Sequence, residues 1–318
     1  MGTIQRMMLV GILAALGGCC QCPQQRPPLP AAIGVTEQAR RLTEWSSRLP
    51  RIKATTVLGG VRMDYRDDSG RDHSVNAEGL LQIQQHPAAS SQALERPADV
   101  LLLGKSFDQP AFEAGRNASN WWFAVKIDRK EAWVGDSTRP VSVESLSAQE
   151  SSGILRADLV PDLLGLSPLP VAEPETGPLR QSPGNLLYLV DDPTGTNRLL
   201  ILGELRVLSP TGTVQRPIVR REIVVDRYTG HISEVRLYNV DGVVVVRSEL
   251  SDYSPVTYAD GVAKPALVPD FPHKVVVKYP GRFLTVALTF DDVEVPAEFK
   301  PVVFTMPKFD GFKVFAGD

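Results

Sequence analysis

Cysteine is scarce and confined to the start of the chain: all three cysteines stand at positions 19, 20 and 22, and none follows. A domain without internal disulfides depends on its hydrophobic core, and a chain of 318 residues is long enough to bury one. Four-ligand zinc sites use paired cysteine or histidine clusters. No second cluster follows Cys22, so we predict no metal site.

Concentrated positive charge is also missing. The formal net charge is −3 and the densest basic pair is Arg220-Arg221. Phosphate backbones are bound by clustered lysine and arginine, so we expect no nucleic acid partner. Beyond the first 18 residues, no run approaches the roughly 20 apolar residues of a membrane helix.

Signatures of catalysis are absent as well. The sequence has no Gly-x-Ser-x-Gly elbow and no phosphate-binding glycine loop, and its four histidines are scattered. Three aspartate pairs, 67–68, 191–192 and 291–292, flank predicted turns or strand ends, where aspartate stabilises the backbone. We therefore predict no catalytic residue, no cofactor and no enzyme activity.

The beginning of the chain carries the clearest signal. Arg6 precedes a short apolar run that ends in Leu16-Gly17-Gly18-Cys19. Ten apolar residues form a helix of about 15 Å, half of the roughly 30 Å hydrocarbon layer, which is too short to span it. The pattern resembles a bacterial lipoprotein signal, with residues 1–18 as signal peptide and Cys19 acylated, for example with palmitate. An ordinary signal peptide cut elsewhere, or a cytosolic chain with an apolar start, remains the alternative.

A proline-rich tether and an amphipathic helix are predicted next. Residues 19–34 contain four prolines among polar residues, a composition typical of an extended linker. Apolar residues then recur at helical spacing from Val35 through Trp45 to Leu49. Pro50 ends this helix, because the residue before proline avoids helical geometry. We expect the helix to cover one face of a sheet.

The remaining sequence follows the two-residue period of antiparallel strands, with about ten strands in a long meander. Turn residues join them at 67–70, 192–195, 228–230 and 241–242. Gly59-Gly60 indicates a bulge or bend. Four runs are apolar throughout, which predicts cover on both sides: 100–103, 199–202, 243–246 and 275–277.

Residues 137–183 interrupt the strand pattern with dense proline and serine. Within them, Asp158 is predicted to cap a short helix that includes Leu159, Leu163 and Leu164, with Gly165 at its end. We interpret the region as an insertion in one domain, with a lid as one role. A boundary between two domains is the alternative.

Several of these segments together resemble the LolA/LolB-like lipoprotein carriers. The resemblance rests on the lipobox, the helix ending in Trp45-Ser46-x-x-Leu49, the strand motif around 117–123, the 225–230 and 237–242 segments, and the ending 301–307. It implies a mainly β fold over residues 35–318: an open antiparallel half-barrel with helices covering its concave face.

The resemblance further implies an apolar cavity that holds lipid or lipoprotein acyl chains. Trp121 and Phe123 share one strand face while Trp122 takes the other, so Trp45, Trp121 and Phe123 are candidate cavity-lining residues. Core packing is the alternative interpretation of the aromatic cluster. The expected location is the periplasmic side of the bacterial cell envelope, with the outer membrane favoured. A structural or regulatory envelope lipoprotein that binds a protein partner is the alternative function.

Overall fold

The fold is taken from a computed structural model that divides into two units, residues 1–31 and 32–318, and everything below concerns the second. The described residues are 54–66, 69–85, 98–107, 109–126, 130–137, 157–166, 186–191, 196–209, 212–226, 228–264, 266, 268–281 and 283–316. The predicted signal peptide, tether and helix of residues 35–49 lie outside them, as does most of the 137–183 insertion. The single-domain expectation therefore stays a prediction.

Strands dominate the described residues. They are β1 (Ala54–Arg66), β2 (Asp72–Gln85), β3 (Ala98–Ser106), β4 (Gln109–Arg116), β5 (Asn120–Val125), β6 (Glu131–Asp136), β7 (Leu186–Asp191), β8 (Thr196–Ser209), β9 (Gly212–Asp226), β10 (Ile232–Tyr238), β11 (Val244–Pro255), β12 (Thr257–Tyr258), β13 (Asp270–Tyr279), β14 (Leu284–Val295) and β15 (Lys313–Ala316). One short helix, α1 (Val160–Leu163), follows a 3₁₀ turn at Ala157–Leu159, and a second 3₁₀ turn spans Pro301–Phe304.

All of these strands belong to one sheet. Its order is β15-β6-β5-β4-β3-β2-β1-β14-β13-β11-β10-β9-β8-β7, with β12 paired beside β14. Neighbours are antiparallel except β15 with β6 and β12 with β14. Among the described residues β7 and β15 are the two ends of this order, so the sheet is open, as predicted. The mainly β architecture is confirmed, with fifteen strands rather than about ten.

Turn chemistry sets the hairpins where the sequence predicts them. Gly70, Gly230 and Gly242 all have φ between 76° and 79°, the left-handed region that glycine enters without a Cβ clash. The predicted irregularity at Gly59-Gly60 is a bulge, because the pairing of β1 with β14 shifts register between Leu58 and Gly59. A Cβ on Gly59 would lie 1.8 Å from the Thr289 carbonyl oxygen, so only glycine fits this approach.

Alternation divides the sheet into two faces. Cross-strand pairing puts Val61, Leu102, Phe123, Val235 and Val277 on one face, which we call the inner face. All five belong to a single buried hydrophobic cluster that runs through strands across the sheet. The opposite, outer face carries mainly polar side chains. The hydrophobic core of the described residues therefore lies on the inner face.

The sheet must curve around this core. The 3₁₀ turn at Ala157–Leu159 contacts β3, β4 and β5, whereas Asp162, a few residues later, pairs with Arg221 of β9. Nine strand spacings separate β5 from β9 in the sheet order, about 43 Å in a flat sheet. The helical rise from Ala157 to Asp162 is only about 8–10 Å. The inner face is therefore concave.

Part of the outer face is covered too. Leu101 of β3 and Trp122 of β5 pack there against Phe299 and Phe304 from the segment after β14. This explains why residues 100–103 are apolar on both sides, as predicted. The same prediction is wrong for 243–246, since Val243 lies between the turn and β11 and is exposed. A run of valines close to a turn does not require cover on two faces.

Candidate functional site

The inner face holds the candidate site, and it is packed. Leu102, Leu199, Val235, Val246 and Val277 are each at most 1% exposed. The prediction of an inner wall left open for hydrocarbon is therefore not met at these positions. A segment of the 137–183 insertion packs against them.

We call residues 157–166 the plug. Its apolar side chains join the inner-face cluster and are buried; they are Ala157, Leu159, Val160, Leu163, Leu164 and Leu166. The predicted short helix is present as α1, and Gly165 lies beyond it with φ 67°, the left-handed conformation expected after a helix. The predicted cap is wrong: Leu159 is the N-cap residue and makes no side-chain capping bond.

We call the inner-face side chains of the sheet the wall. Two wall residues form hydrogen bonds to the plug backbone. Ser248 Oγ of β11 donates to the Leu163 carbonyl oxygen at 2.7 Å, and Gln85 Nε2 of β2 donates to the Leu166 carbonyl oxygen at 3.0 Å. The last carbonyls of a helix have no partner within it and need one when buried. Strands from both halves of the sheet thus hold the plug through its C-terminal end.

One ion pair also connects plug and wall. The Arg221 guanidinium of β9 donates a hydrogen bond to the Asp162 carboxylate, with side chains 15% and 27% exposed. Register pairs Arg221 with Ile201 on one side and Leu237 on the other, both buried inner-face residues. The wall therefore carries a cation within an apolar surface, and the plug supplies the opposite charge.

The predicted site residues separate into two groups. Cys19 and Trp45 lie outside the described residues, so lipidation and a role for Trp45 stay predictions. Trp121 and Phe123 lie on the inner face and are 0% and 3% exposed, while Trp122 packs on the outer face, in agreement with the alternation. Their burial is that of core residues, and a cavity-lining role stays a prediction.

Phe123 is part of an aromatic row on the inner face. Its ring centroid lies 6.3 Å from that of Phe112 and 5.9 Å from that of Trp133, and Trp133 stacks on Phe315 at 5.2 Å. These contacts connect β4, β5, β6 and β15 side by side. Offset aromatic contacts of this kind each contribute about 0.5–1.5 kcal/mol beyond their buried area.

On the outer face, the side chain of Glu222 is fully buried, and its negative charge is compensated by an ion pair with Arg198. Burial acts to raise the pKa of Glu222, but hydrogen bonds from Arg198 and Tyr238 and the charge of Arg236 together lower it below its ordinary value. The carboxylate thus stays ionised. We assign this cluster to the stability of β8, β9 and β10.

A serine and a histidine do come together. Ser254 Oγ lies 2.6 Å from His273 Nε2, and His273 Nδ1 lies 2.7 Å from the Phe290 carbonyl oxygen. A carbonyl only accepts, so Nδ1 donates to the Phe290 carbonyl oxygen. The pairing of β13 with β14 begins at Lys274 and Thr289, so His273 and Phe290 lie just beyond it. The two hydrogen bonds link β11, β13 and β14 next to the last paired residues. We therefore assign them a structural role.

Of the three aspartate pairs, only 291–292 lies wholly within the described residues. Asp291 and Asp292 lie within β14, at its bulge opposite β1, and both are exposed; the prediction that they flank a strand end is wrong because β14 continues to Val295. Within the described part of the chain, no group of three or more potential ligands is placed to hold a metal ion. The same residues contain no helix long and apolar enough to cross a bilayer.

Sequence reasoning missed Gln85, Arg221 and Ser248. For Arg221 a signal was present, because alternation puts it on the same face as Ile223 and Val225, where an arginine is out of place. Its pairing with Asp162 could not be read from the sequence, since the two residues lie on an insertion and on a distant strand.

Comparison with known proteins yields likeness in structure only. No protein-family model and no curated protein matches the chain. Solved structures similar to it include an outer membrane lipoprotein-sorting protein domain from Vibrio parahaemolyticus (11% identity, 84% of this chain and 96% of that one, TM-score 0.47). A DUF1329 family protein from Desulfovibrio piger (9% identity, 86% and 98%, TM-score 0.46) and a LolA superfamily protein from Nitrosomonas europaea (12%, 84% and 97%, TM-score 0.39) are also similar.

These structural likenesses confirm the resemblance to LolA/LolB-like proteins that the sequence predicts. At such identities and TM-scores it concerns the fold alone and carries no argument about what this chain binds. The function has to be argued from the inner face itself.

Proposed function

We propose that the protein binds an acyl chain in the place that the plug occupies. The observation that carries the proposal is the plug itself: a short apolar segment, hydrogen-bonded through few groups, buried in the concave side of a large sheet. An open apolar concave surface of this size would promote aggregation, so a cover is required when no ligand is bound. The plug serves as that cover.

Energetics support an exchange between plug and ligand. Transfer of an acyl chain out of water contributes about 0.8 kcal/mol per methylene, or roughly 9 kcal/mol for a dodecyl chain before the costs of binding. Burying an aliphatic side chain contributes about 1.5–3 kcal/mol, and the plug buries several. The two contributions are of the same order, so displacement of the plug should strengthen as the chain lengthens.

The plug is not paired with the sheet in the part of the chain that the structure describes. Residues 137–156 and 167–185 connect the plug to β6 and β7. Within the described residues no backbone ladder joins the plug to a strand, since its hydrogen bonds to the wall come from side chains. The described contacts of the plug can therefore be lost without breaking a strand pairing.

A location in the bacterial cell envelope, anchored through an acylated Cys19, belongs to the same proposal and is supported by the Leu16-Gly17-Gly18-Cys19 pattern. Mass spectrometry of the mature protein tests it directly. Acyl groups on an N-terminal Cys19 are expected, and an unmodified Cys19 would contradict the anchor without bearing on the inner face.

Acyl-chain binding is tested with the purified protein and the neutral fluorophore N-phenyl-1-naphthylamine, displaced by dodecyl ligands. We expect saturable binding with one site per chain, and displacement that strengthens with chain length from eight to sixteen carbons. Absence of saturable binding would contradict the proposal. It would favour the alternative of an envelope protein that binds a protein partner, which a permanently packed inner face also fits.

A further inference from the structure

We infer that the ligand carries an anionic head group, and that Arg221 selects for it. The inference rests on the proposed function and concerns the same site. It names the ligand as an acidic amphiphile, an alkyl chain ending in a carboxylate or a phosphate monoester. The starting observation is the position of Arg221, a cation on the inner face whose counter-charge is a carboxylate of the displaceable plug.

The surroundings of Arg221 make this counter-charge necessary. The side chain is 15% exposed, and its two cross-strand neighbours, Ile201 and Leu237, are buried and apolar. A guanidinium stays charged at any physiological pH. Removing one partner of a largely buried ion pair leaves an uncompensated charge, which is far more costly than losing a surface pair.

Departure of the plug removes Asp162 from Arg221. If the incoming ligand is neutral, the guanidinium is left in an apolar hollow without its anion. If the ligand ends in a carboxylate or phosphate, it replaces both parts of the plug, the apolar side chains and the charge. Arg221 then donates to the ligand in the geometry that guanidinium offers to planar or tetrahedral oxyanions.

The hydroxyl of Ser248 extends the polar end of the site. Its donor is used by the Leu163 carbonyl oxygen while the plug is seated. Ser248 lies on the same face as Arg221, two strands away, because Val235 pairs with Ser248 and Leu237 pairs with Arg221. A donor and a cation are therefore released together when the plug leaves, and each interacts favourably with an oxyanion.

Three substitutions separate selection from plug release. Asp162→Asn weakens only the seated plug, so it should raise the affinity for acidic and neutral ligands by the same factor and leave their ratio unchanged. Arg221→Met removes the unpaired cation from the ligand-bound state, so the ratio itself should collapse. Arg221→Lys keeps a positive charge and should retain a preference for the acid.

The experiment measures competition of dodecanoate, dodecyl phosphate and dodecanol against N-phenyl-1-naphthylamine on the full chain, below the aggregation concentration of each ligand. In the unsubstituted protein we expect both acids to bind at least tenfold more tightly than dodecanol, a difference of about 1.4 kcal/mol. In Arg221→Met the ratio should fall to within twofold of one. Inorganic phosphate alone should not compete.

The outcomes are distinguishable. If none of the dodecyl ligands competes, acyl-chain binding itself fails. If dodecanol binds as tightly as the acids, or if Arg221→Met keeps the tenfold ratio, binding stands and the anion selection is overturned. Thermal melts of each variant establish that it is folded, and Arg221→Lys supplies the measurement if Arg221→Met does not fold.

Discussion

The most informative perturbation truncates a buried leucine to alanine, once in the plug and once in the wall. Leu163 of the plug is 2% exposed and Leu237 of the wall is 5% exposed, and both belong to the inner-face cluster. Truncating a buried leucine to alanine costs about 2–5 kcal/mol. In Leu163→Ala the loss falls on the plug-seated state alone, because a bound ligand has already displaced the plug. In Leu237→Ala it falls on the wall in both states.

The two variants should therefore differ in binding although both lose stability. At the low end of about 2 kcal/mol, Leu163→Ala should raise the apparent affinity for dodecanoate about 30-fold. Leu237→Ala should leave it unchanged or lower it. Competition with the fluorophore measures both affinities, and urea unfolding measures both stabilities. A loss of affinity in Leu163→Ala, or equal changes in the two variants, would refute exchange between plug and ligand.

Further predictions concern the sheet. Gly59→Ala should cost at least about 2 kcal/mol in urea unfolding, since its Cβ would meet the Thr289 carbonyl oxygen, whereas Gly60→Ala, with nothing within 4 Å, should change stability by less than about 0.5 kcal/mol. Hydrogen bonds from the Thr229 backbone lower the pKa of Asp226, so its contribution is present above the unfolded pKa of about 4 and is lost as pH falls through the lower folded value. Asp226→Ala should destabilise by about 1 kcal/mol at pH 7 and by less at pH 3. A fluorophosphonate probe should leave Ser254 unlabelled, and labelling would contradict the structural role assigned to Ser254 and His273.

The strand architecture was largely predictable because it depends on local pattern. Alternation places Trp121 and Phe123 on one face and Trp122 on the other, and turn residues such as Gly230 and Gly242 fix where the hairpins reverse. These features depend on neighbours in sequence. A period of two and a left-handed glycine have the same meaning wherever they occur in a sheet.

The packing of the inner face was not predictable, because it depends on contacts between distant segments. Ser248 and Leu163 are 85 residues apart, and Gln85 and Leu166 are 81 apart. The leucines of the plug do predict a short apolar helix, but nothing local tells which surface it covers. Arg221 could be recognised as misplaced on an apolar face, yet its meaning required knowledge that Asp162 sits opposite.

The central claim, that plug and ligand compete for one place, is tested most directly by locking the plug. A Cβ at Gly165 would lie 3.6 Å from the Cβ of Ile232, within the range that disulfides span. We therefore propose the pair Gly165→Cys and Ile232→Cys in a chain whose three native cysteines are replaced by serine. The oxidised protein is expected to bind no dodecanoate, and reduction is expected to restore binding. Equal binding by the oxidised and reduced forms would contradict the account.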